Sequence, residues 1–258
     1  MQNTFEGPFQ NWHNADGSCD GYHNTKILEK VLKTSLEVQS GKFSFQRDSV
    51  GFKKPFYEWP LLATILRESL AKKGTVHVMD FGGSLGCTYF QHLPLLTNCD
   101  LMWSVVEQKH FVEVGKNNFQ SDSLRFYDSI DECTSYSKVD VVILSSVLQY
   151  LEFPDQIIHK IVDLGANKII IDKTIVNKSD LNMIYIQRVP REIYSASYPC
   201  HFFSEDWLLR KFVQRYHLTA DFKSLSFPEV EKMGSQFKGY VMEIRKEYKS
   251  IDRRLSRE

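Results

Sequence analysis

A glycine-rich turn that begins with an acidic residue is the part of this sequence best suited to chemistry. The run Asp80-Phe81-Gly82-Gly83-Ser84-Leu85-Gly86 starts at the end of the short apolar segment 75–80. Glycines let a backbone approach a ligand closely, and a helix that follows such a turn offers unpaired amide groups. The turn therefore predicts a small-molecule binding site. Its candidate contacts are Asp80, Gly82, Gly83, Ser84 and Gly86.

The spacing of the glycines disfavours a dinucleotide. A pyrophosphate-binding turn has the pattern G-x-G-x-x-G. If the pattern starts at Gly82, Ser84 and Cys87 stand where glycines are required, and the alternative frame puts Phe81 in the first glycine position. An NAD-dependent sugar enzyme is therefore a weaker interpretation.

Two further acidic residues follow predicted strands. Glu107 lies 21 positions after Gly86, where nucleoside-binding α/β folds place a carboxylate that accepts hydrogen bonds from ribose hydroxyls. Gln108 comes next and is a further candidate contact. Asp128 follows the next strand, and either a contact to a base or a helix N-cap explains it equally well, given the neighbouring Ser129.

The turn resembles motif I of class I S-adenosylmethionine-dependent methyltransferases, an acidic residue followed by G-x-G-x-G. The resemblance implies S-adenosyl-L-methionine as cofactor, with the loop around its methionine portion and Asp80 near the amino group. It also implies that Asp128 holds the adenine amino group. Ser84 departs from the pattern, since the family has glycine there.

A second stretch, residues 141–151, resembles motif IV of the same family. Ser145 and Ser146 are expected at the carboxyl edge of the sheet beside the cofactor. Gln149-Tyr150 stands where many relatives carry Glu-His. A non-catalytic nucleotide-binding subunit is therefore an alternative.

Three short stretches resemble a methyltransferase family of bacterial capsule and O-antigen gene clusters. They are 47–50 (Arg-Asp-Ser-Val), 148–151 (Leu-Gln-Tyr-Leu) and 198–204 (Tyr-Pro-Cys-His-Phe-Phe-Ser). The resemblance extends over about residues 21–244. It implies methyl transfer to an oxygen or nitrogen of a surface-polysaccharide sugar, a nucleotide-activated precursor or a phosphoramidate group.

The acceptor is expected to meet residues between the fifth strand and the last helix. His201 is the candidate general base because its unperturbed pKa lies near neutrality, and Tyr198 is the second catalytic candidate. A partly buried histidine beside Phe202 and Phe203 explains His201 as well. Lys173 is a candidate contact to an acidic acceptor, but a solvated surface lysine is the favoured explanation. The candidate acceptor contacts are Arg47, Tyr57, Tyr150, Arg188 and Arg191, although packed tyrosines give the same pattern.

The elements that position these residues alternate between strands and helices from residue 75 onward. Strands are predicted at 75–80, 101–107, 124–127, 139–144 and 168–172, which indicates an α/β fold with a Rossmann-like, doubly wound, mostly parallel sheet. The segments 218–225 and 239–244 predict a C-terminal antiparallel hairpin, so that one edge strand runs antiparallel.

The predicted organisation has three parts. Residues 1–73 form an N-terminal helical and aromatic segment, with helices at 22–39 and 61–72, that is expected to act as a lid or simply as core. Residues 74–248 form the methyltransferase domain, and residues 249–258 form a polar tail.

Composition excludes several classes of protein. Lys plus Arg equals Asp plus Glu, 32 each, and a general nucleic-acid binder would carry a basic excess. Apolar runs are too short for a membrane span, and the five scattered cysteines predict free thiols, no metal site and a cytoplasmic protein. The expected partner is a small or nucleotide-linked glycan acceptor, and the sequence leaves the oligomeric state open.

Overall fold

The computed structural model describes residues 4–19, 25–190 and 196–248. The strands are β1 (Thr4–Phe9), β2 (Phe45–Arg47), β3 (Val50–Phe52), β4 (Thr75–Phe81), β5 (Asp100–Val106), β6 (Leu124–Tyr127), β7 (Val141–Ser145), β8 (Lys168–Asn177), β9 (Met183–Val189), β10 (Ala196–Ser204), β11 (Tyr216–Leu225) and β12 (Ser235–Ile244). The α-helices are α1 (Trp12–Asp16), α2 (Thr25–Gln39), α3 (Trp59–Ala71), α4 (Cys87–His92), α5 (Lys109–Asn118), α6 (Ile130–Tyr136), α7 (Pro154–Asp163), α8 (Glu205–Arg210) and α9 (Pro228–Lys232).

The chain divides into two compact units. One unit is the continuous stretch His23–Ile143, and the other combines Met1–Tyr22 with Leu144–Glu258. We call them the glycine-loop unit and the hairpin unit. The boundary predicted at residue 73 falls within the range of the glycine-loop unit and stays a prediction.

The glycine-loop unit is built on parallel strands in the order β6-β5-β4-β7. The chain runs outward from β4 through β5 to β6 and then returns to place β7 on the other side of β4. Right-handed crossovers put the helices of the outward and returning connections on opposite faces, so the sheet is doubly wound. The point where the order reverses lies beside β4, and open α/β sheets bind ligands at such a point.

The core of this unit follows from its strands. Val76, Val78 and Trp103 are fully buried, because strands covered by helices on both faces carry apolar residues on both faces. The predicted strand at 75–80 is confirmed as Thr75–Phe81, and the predicted helix at 22–39 is confirmed as Thr25–Gln39 within the described residues.

In the hairpin unit, β8 pairs parallel with β10 and antiparallel with β12. β12 pairs antiparallel with β8 and with β11, so β11 and β12 form the predicted C-terminal hairpin. The prediction of an antiparallel edge strand was wrong in one respect, since the antiparallel strand β12 lies between β8 and β11. The α/β fold class itself, with parallel central strands and this hairpin, is confirmed.

The sequence did not predict the strands β1, β9 and β10. β1 pairs antiparallel with β9, and β9 pairs antiparallel with β10. Residues expected in an acceptor loop thus lie in regular strands, with Arg188 in β9 and both Tyr198 and His201 in β10. Arg191 lies outside the described residues, as does the tail 249–258.

No helix among the described residues combines the length and the apolar character needed to cross a bilayer.

Candidate functional site

The carboxyl ends of β4, β5 and β6 are in register. Phe81 pairs with Val106, and Val106 pairs with Tyr127. The Gly82 amide donates to the Val106 carbonyl at 2.9 Å, and the Glu107 amide donates to the Tyr127 carbonyl at 3.0 Å. Neighbouring strands lie about 5 Å apart, so Gly82, Glu107 and Asp128 follow one another along a single edge of the sheet.

The turn after β4 uses left-handed backbone conformations. Gly82 and Gly86 have φ of 76° and 81°, and Ser84 has φ of 54°. Glycine adopts these values freely, but a residue with a Cβ atom is strained there, by about 1–2 kcal/mol. Such strain at a non-glycine residue is concentrated at functional sites, which makes the Ser84 conformation informative.

Gly83 is required by a close approach rather than by its φ. A Cβ atom at Gly83 would lie 2.6 Å from the Cγ and Oδ2 atoms of Asp80. Asp80 is 1% exposed, and its Oδ2 accepts a hydrogen bond of 3.3 Å from the indole Nε1 of Trp103. The turn therefore folds back over a buried carboxylate, and an alanine at position 83 would displace that carboxylate.

Glu107 carries a carboxylate that is poorly solvated. Its Oε2 accepts a hydrogen bond of 2.5 Å from the Gln108 amide, which within the described part of the chain is the only hydrogen bond to this carboxylate. Burial, together with the negative charge of Asp80, raises the pKa of Glu107 to about 7, although the Gln108 hydrogen bond opposes the shift. Hydroxyl donors from a ligand would stabilise the ionised form. Gln108 is the N-cap residue of α5 and lies beside the same edge.

Asp128 does not cap the following helix. The N-cap of α6 is Ser129, whose side chain accepts from the Glu132 amide at 3.1 Å. The Glu132 carboxylate in turn accepts from the Asp128 amide at 3.2 Å. The Asp128 side chain is exposed, so the N-cap explanation applies to its neighbour.

Ser145 and Ser146 belong to the hairpin unit. Ser146 has φ of 55°, and its amide donates to the Asp172 carbonyl at 2.9 Å. Lys173, the next residue of β8, also has a left-handed φ of 50°. Its side chain is only 18% exposed and lies 3.8 Å from Asp172, so the expectation of a solvated surface lysine was wrong.

Tyr150 and Tyr198 pack against each other in the hairpin unit. Their rings meet edge to face with centroids 5.1 Å apart, and the Tyr150 hydroxyl donates to Gln187 Oε1 at 2.9 Å. Gln149 donates to the Lys173 carbonyl at 2.9 Å, while its Oε1 is buried without a hydrogen-bond partner among the described residues.

His201 lies inside a stack of aromatic rings. Its ring is 4.7 Å from that of Trp12 and 5.2 Å from that of Phe203, and Phe203 stacks on Trp207 at 5.4 Å. Burial lowers the pKa of His201 to about 4, against the opposing effect of the Leu151 and Glu152 backbone. The imidazole is therefore neutral near pH 7 and a weak proton acceptor, which favours the packing explanation over the general base.

The remaining acceptor candidates lie in different surroundings. Arg47 stands over the Phe56 ring at 5.5 Å, and the Tyr57 ring is 5.7 Å from that of Trp59, both in the glycine-loop unit. Arg188 belongs to the hairpin unit and forms a salt bridge of 2.6 Å with Glu6, in which both side chains are about half exposed. Arg188 is thus held at the surface.

Three residues near the turn escaped sequence reasoning. Trp103 holds Asp80, and Gln46 contacts Cys87, the first residue after the turn, at 3.1 Å. Trp103 stands in a strand next to β4 and was a detectable signal, because a buried indole requires an acceptor. The contact between Gln46 and Cys87 spans 41 residues and leaves no local pattern.

Within the described residues, no group of His, Cys, Asp and Glu side chains is arranged to hold a metal ion.

No protein-family model and no curated protein matches the chain. Solved structures with a similar arrangement include an S-adenosylmethionine-dependent methyltransferase from Clostridium acetobutylicum, at 12% identity and TM-score 0.46 over 71% of this chain and 90% of that one. The N-methyltransferase NodS from Bradyrhizobium japonicum, solved with S-adenosyl-L-homocysteine, has 11% sequence identity and a TM-score of 0.47. The match covers 81% of this chain and 98% of that one. The 1,6-didemethyltoxoflavin-N1-methyltransferase from Burkholderia thailandensis has 13% sequence identity and a TM-score of 0.44. The match covers 93% of this chain and 92% of that one. At these identities and TM-scores the likenesses carry no conclusion about function.

Proposed function

We propose that this protein is a methyltransferase that uses S-adenosyl-L-methionine. The observation that carries the proposal is the set of carboxylates at one sheet edge. Asp80 lies under the glycine-rich turn after β4, Glu107 follows β5, and Asp128 follows β6. The strands that bear them are adjacent, parallel and in register.

This set of acceptors suits the hydrogen-bond donors of the cofactor. S-adenosyl-L-methionine offers an ammonium group, two vicinal ribose hydroxyls and an adenine amino group. An ionised carboxylate is an acceptor only, so each donor group meets a matching partner. A pyrophosphate is itself an anionic acceptor, and three carboxylates would repel it. The same edge therefore disfavours NAD.

Each side chain takes a role from its position along the edge. Asp80 and the backbone from Gly82 to Gly86 hold the methionine portion. Glu107 accepts from the ribose hydroxyls, and Gln108 lies next to it. Asp128 accepts from the adenine amino group. We also propose cofactor contacts for Ser145 and Ser146, at the carboxyl end of β7.

When bound, the cofactor supplies a methyl group that its sulfonium already activates. The protein's task is then chiefly alignment, since methyl transfer is an in-line displacement that gains most from fixed geometry. Tyr198 and Tyr150 supply phenol groups for positioning an acceptor, and Tyr150 is already oriented by Gln187. His201 is not assigned as the base, because its pKa of about 4 and its aromatic stack leave it a weak proton acceptor.

For the acceptor, we propose a small polar molecule, with a surface-polysaccharide sugar or its nucleotide-activated or phosphoramidate precursor as the first class to test. The support is the sequence resemblance at 47–50, 148–151 and 198–204. The proposed acceptor contacts remain Arg47, Tyr57, Tyr150 and Arg188, together with Arg191, which lies outside the described residues. A cytoplasmic location would suit such precursors.

The test begins with binding. Isothermal titration calorimetry of the full chain is expected to show saturable S-adenosyl-L-homocysteine binding and no NAD binding. Glu107→Gln should weaken the former, and Glu113→Gln, an exposed carboxylate on α5, is the matched control. Saturable NAD binding without S-adenosyl-L-homocysteine binding would overturn the proposal.

Turnover is tested with S-adenosyl-L-methionine labelled in the methyl group. Nucleotide sugars and phosphoramidate glycans are offered as acceptors, and transfer of the label is measured. Tight cofactor binding without transfer to any acceptor class would favour the non-catalytic alternative.

A further inference from the structure

A buried polar contact joins the N-terminal part of the glycine-loop unit to the glycine-rich turn. Gln46, on β2, is 6% exposed, and its side-chain Nε2 donates to Ser35 Oγ on α2 at 2.6 Å. The same Nε2 approaches Cys87 Sγ at 3.1 Å. Residues from α2, β2 and α4 therefore meet at one point inside the unit.

The Cys87 thiol stands directly after the glycine-rich turn. Cys87 is the first residue of α4, and Gly86, the last residue of the turn, is the N-cap of that helix. Burial raises the pKa of the thiol to about 11. The thiol therefore stays protonated and acts as a fixed polar group rather than as a nucleophile. A path of polar contacts runs from Ser35 through Gln46 to Cys87 and so reaches the end of the turn.

Ser84 is the residue of the turn that needs support. Its φ of 54° lies in the left-handed region, which a serine occupies at an energetic cost. A strained conformation persists only where surrounding contacts determine it. The contact between Gln46 and Cys87 fixes the chain just after the turn, three residues beyond the position where the methyltransferase motif has glycine.

The far end of α4 is fixed by the same N-terminal segment. Gln91 Nε2 donates to Glu58 Oε2 at 2.7 Å and to the Phe56 carbonyl at 2.9 Å. The Glu58 amide donates to His92 Nε2 at 3.0 Å. A helix of six residues is too short to be stable by itself, so these contacts hold it in place.

We propose that Gln46 is a positioning residue for the cofactor: through Cys87 it fixes the end of the turn and the start of α4, and with them the backbone that receives the methionine portion. The inference rests on the proposed function. It assigns to the β2–β3 hairpin a part in cofactor affinity without any contact to the cofactor.

The test compares variants that differ in polarity and little in size. Gln46→Met keeps the length of the side chain and removes the donor. Cys87→Ala removes the sulfur, and Cys87→Ser restores a polar atom. We expect Gln46→Met and Cys87→Ala each to weaken S-adenosyl-L-homocysteine binding roughly three- to tenfold, the range of one hydrogen bond. Cys87→Ser should recover most of that loss.

Three further measurements separate positioning from general structural damage. The double variant Gln46→Met/Cys87→Ala should bind no more weakly than the weaker single variant, because both changes interrupt one path. Cys133→Ala removes a fully buried thiol on α6, away from the turn, and should lower thermal stability while leaving the affinity unchanged. Once an acceptor is known, the KM for S-adenosyl-L-methionine should rise while kcat is kept.

The outcomes are distinguishable from those of the proposed function. If the wild-type chain binds S-adenosyl-L-homocysteine and the variants bind it equally well, the positioning role is wrong and the proposed function stands. Additive losses of affinity in the double variant would also contradict a single path through Gln46 and Cys87. If Gln46→Met does not fold, the Cys87→Ala and Cys87→Ser pair decides the question. A wild-type chain that does not bind S-adenosyl-L-homocysteine overturns both proposals.

Discussion

The α carbon of Gly83 lies so close to the carboxylate of Asp80 that a methyl group added to it would stand 2.6 Å from the Oδ2 atom. The Asp80 side chain has little space to move, since it is buried and accepts a hydrogen bond from Trp103. Gly83 is the one glycine of the turn whose requirement comes from this carboxylate and not from a left-handed φ.

Gly83→Ala is therefore expected to weaken S-adenosyl-L-homocysteine binding at least tenfold and to lower the free energy of unfolding by about 1–3 kcal/mol, as overpacking does. Calorimetry and chemical denaturation measure the two effects. Gly17→Ala is the control, because Gly17 has φ of −60° and a Cβ atom there would meet only ordinary contacts. Unchanged affinity in folded Gly83→Ala would contradict the role given to the turn.

Cofactor affinity should depend on pH through Glu107. Its pKa of about 7 in the free protein should fall when ribose hydroxyls donate to the carboxylate, so binding favours the ionised form. Affinity is then highest above pH 7 and falls below it, by about tenfold between pH 8 and pH 6 if the bound carboxylate stays ionised. Calorimetry with S-adenosyl-L-homocysteine at both pH values measures this, and Glu107→Gln should remove the dependence. Equal wild-type affinities would count against ribose binding at Glu107.

The same carboxylate should destabilise the free protein at alkaline pH. Its pKa is raised from 4.5 when unfolded to about 7 when folded, so the folded state holds more protons between these values. Stability is therefore lost as pH rises through 7, by no more than about 3 kcal/mol. Glu107→Gln should be more stable than wild type at pH 8 and similar at pH 4.5 in urea denaturation. A less stable Glu107→Gln at pH 8 would show that the ionised carboxylate has partners in the free protein.

Substitutions at the neighbouring residues Asp128 and Ser129 should have separate effects, one on cofactor binding and the other on stability. Asp128→Asn is expected to weaken S-adenosyl-L-homocysteine binding several-fold with little change in stability, because the side chain is exposed and is not the cap. Ser129→Ala removes the N-cap of α6 and should cost about 1 kcal/mol of unfolding free energy with little change in affinity. The opposite pattern would mean that Asp128 has a structural role.

His201 should act as a buried neutral ring. Its pKa is lowered from 6.5 to about 4, so the unfolded chain binds more protons between these values and stability is lost as pH falls through this range. The loss for wild type amounts to about 2 kcal/mol at pH 5 relative to pH 7. His201→Phe keeps the stack and should lose less on acidification, as thermal unfolding at the two pH values would show. Once an acceptor is known, loss of methyl transfer in a folded His201→Phe variant would support His201 as the general base after all.

The strands β4 to β7 were predictable because they are short apolar runs between turn residues, whereas β2 and β3 were not predicted. β10 was not, since it is buried along its whole length and so lacks alternation, and Pro199 argues against a strand. β1 is interrupted by Gly7-Pro8 and is recognisable only through its pairing with β9.

The candidate site likewise has a part that the sequence predicts and a part that it does not. Asp80, Glu107 and Asp128 follow from local spacing after strands, because parallel strands bring their carboxyl ends to one edge. The contact from Gln46 to Cys87 and the stack around His201 depend on chain segments that meet only in the folded protein. The lowered pKa of His201 belongs to that stack and has no counterpart in the sequence.

The hairpin unit is assembled from both ends of the described chain, with the glycine-loop unit inserted between them. Glu6 in β1 meets Arg188 in β9 across 182 residues. During synthesis the whole of the glycine-loop unit emerges from the ribosome before β9 exists. For that interval β1 is an edge without its partner, and unpaired edges are sites of wrong association. β1 is therefore a segment for which protection of the nascent chain matters.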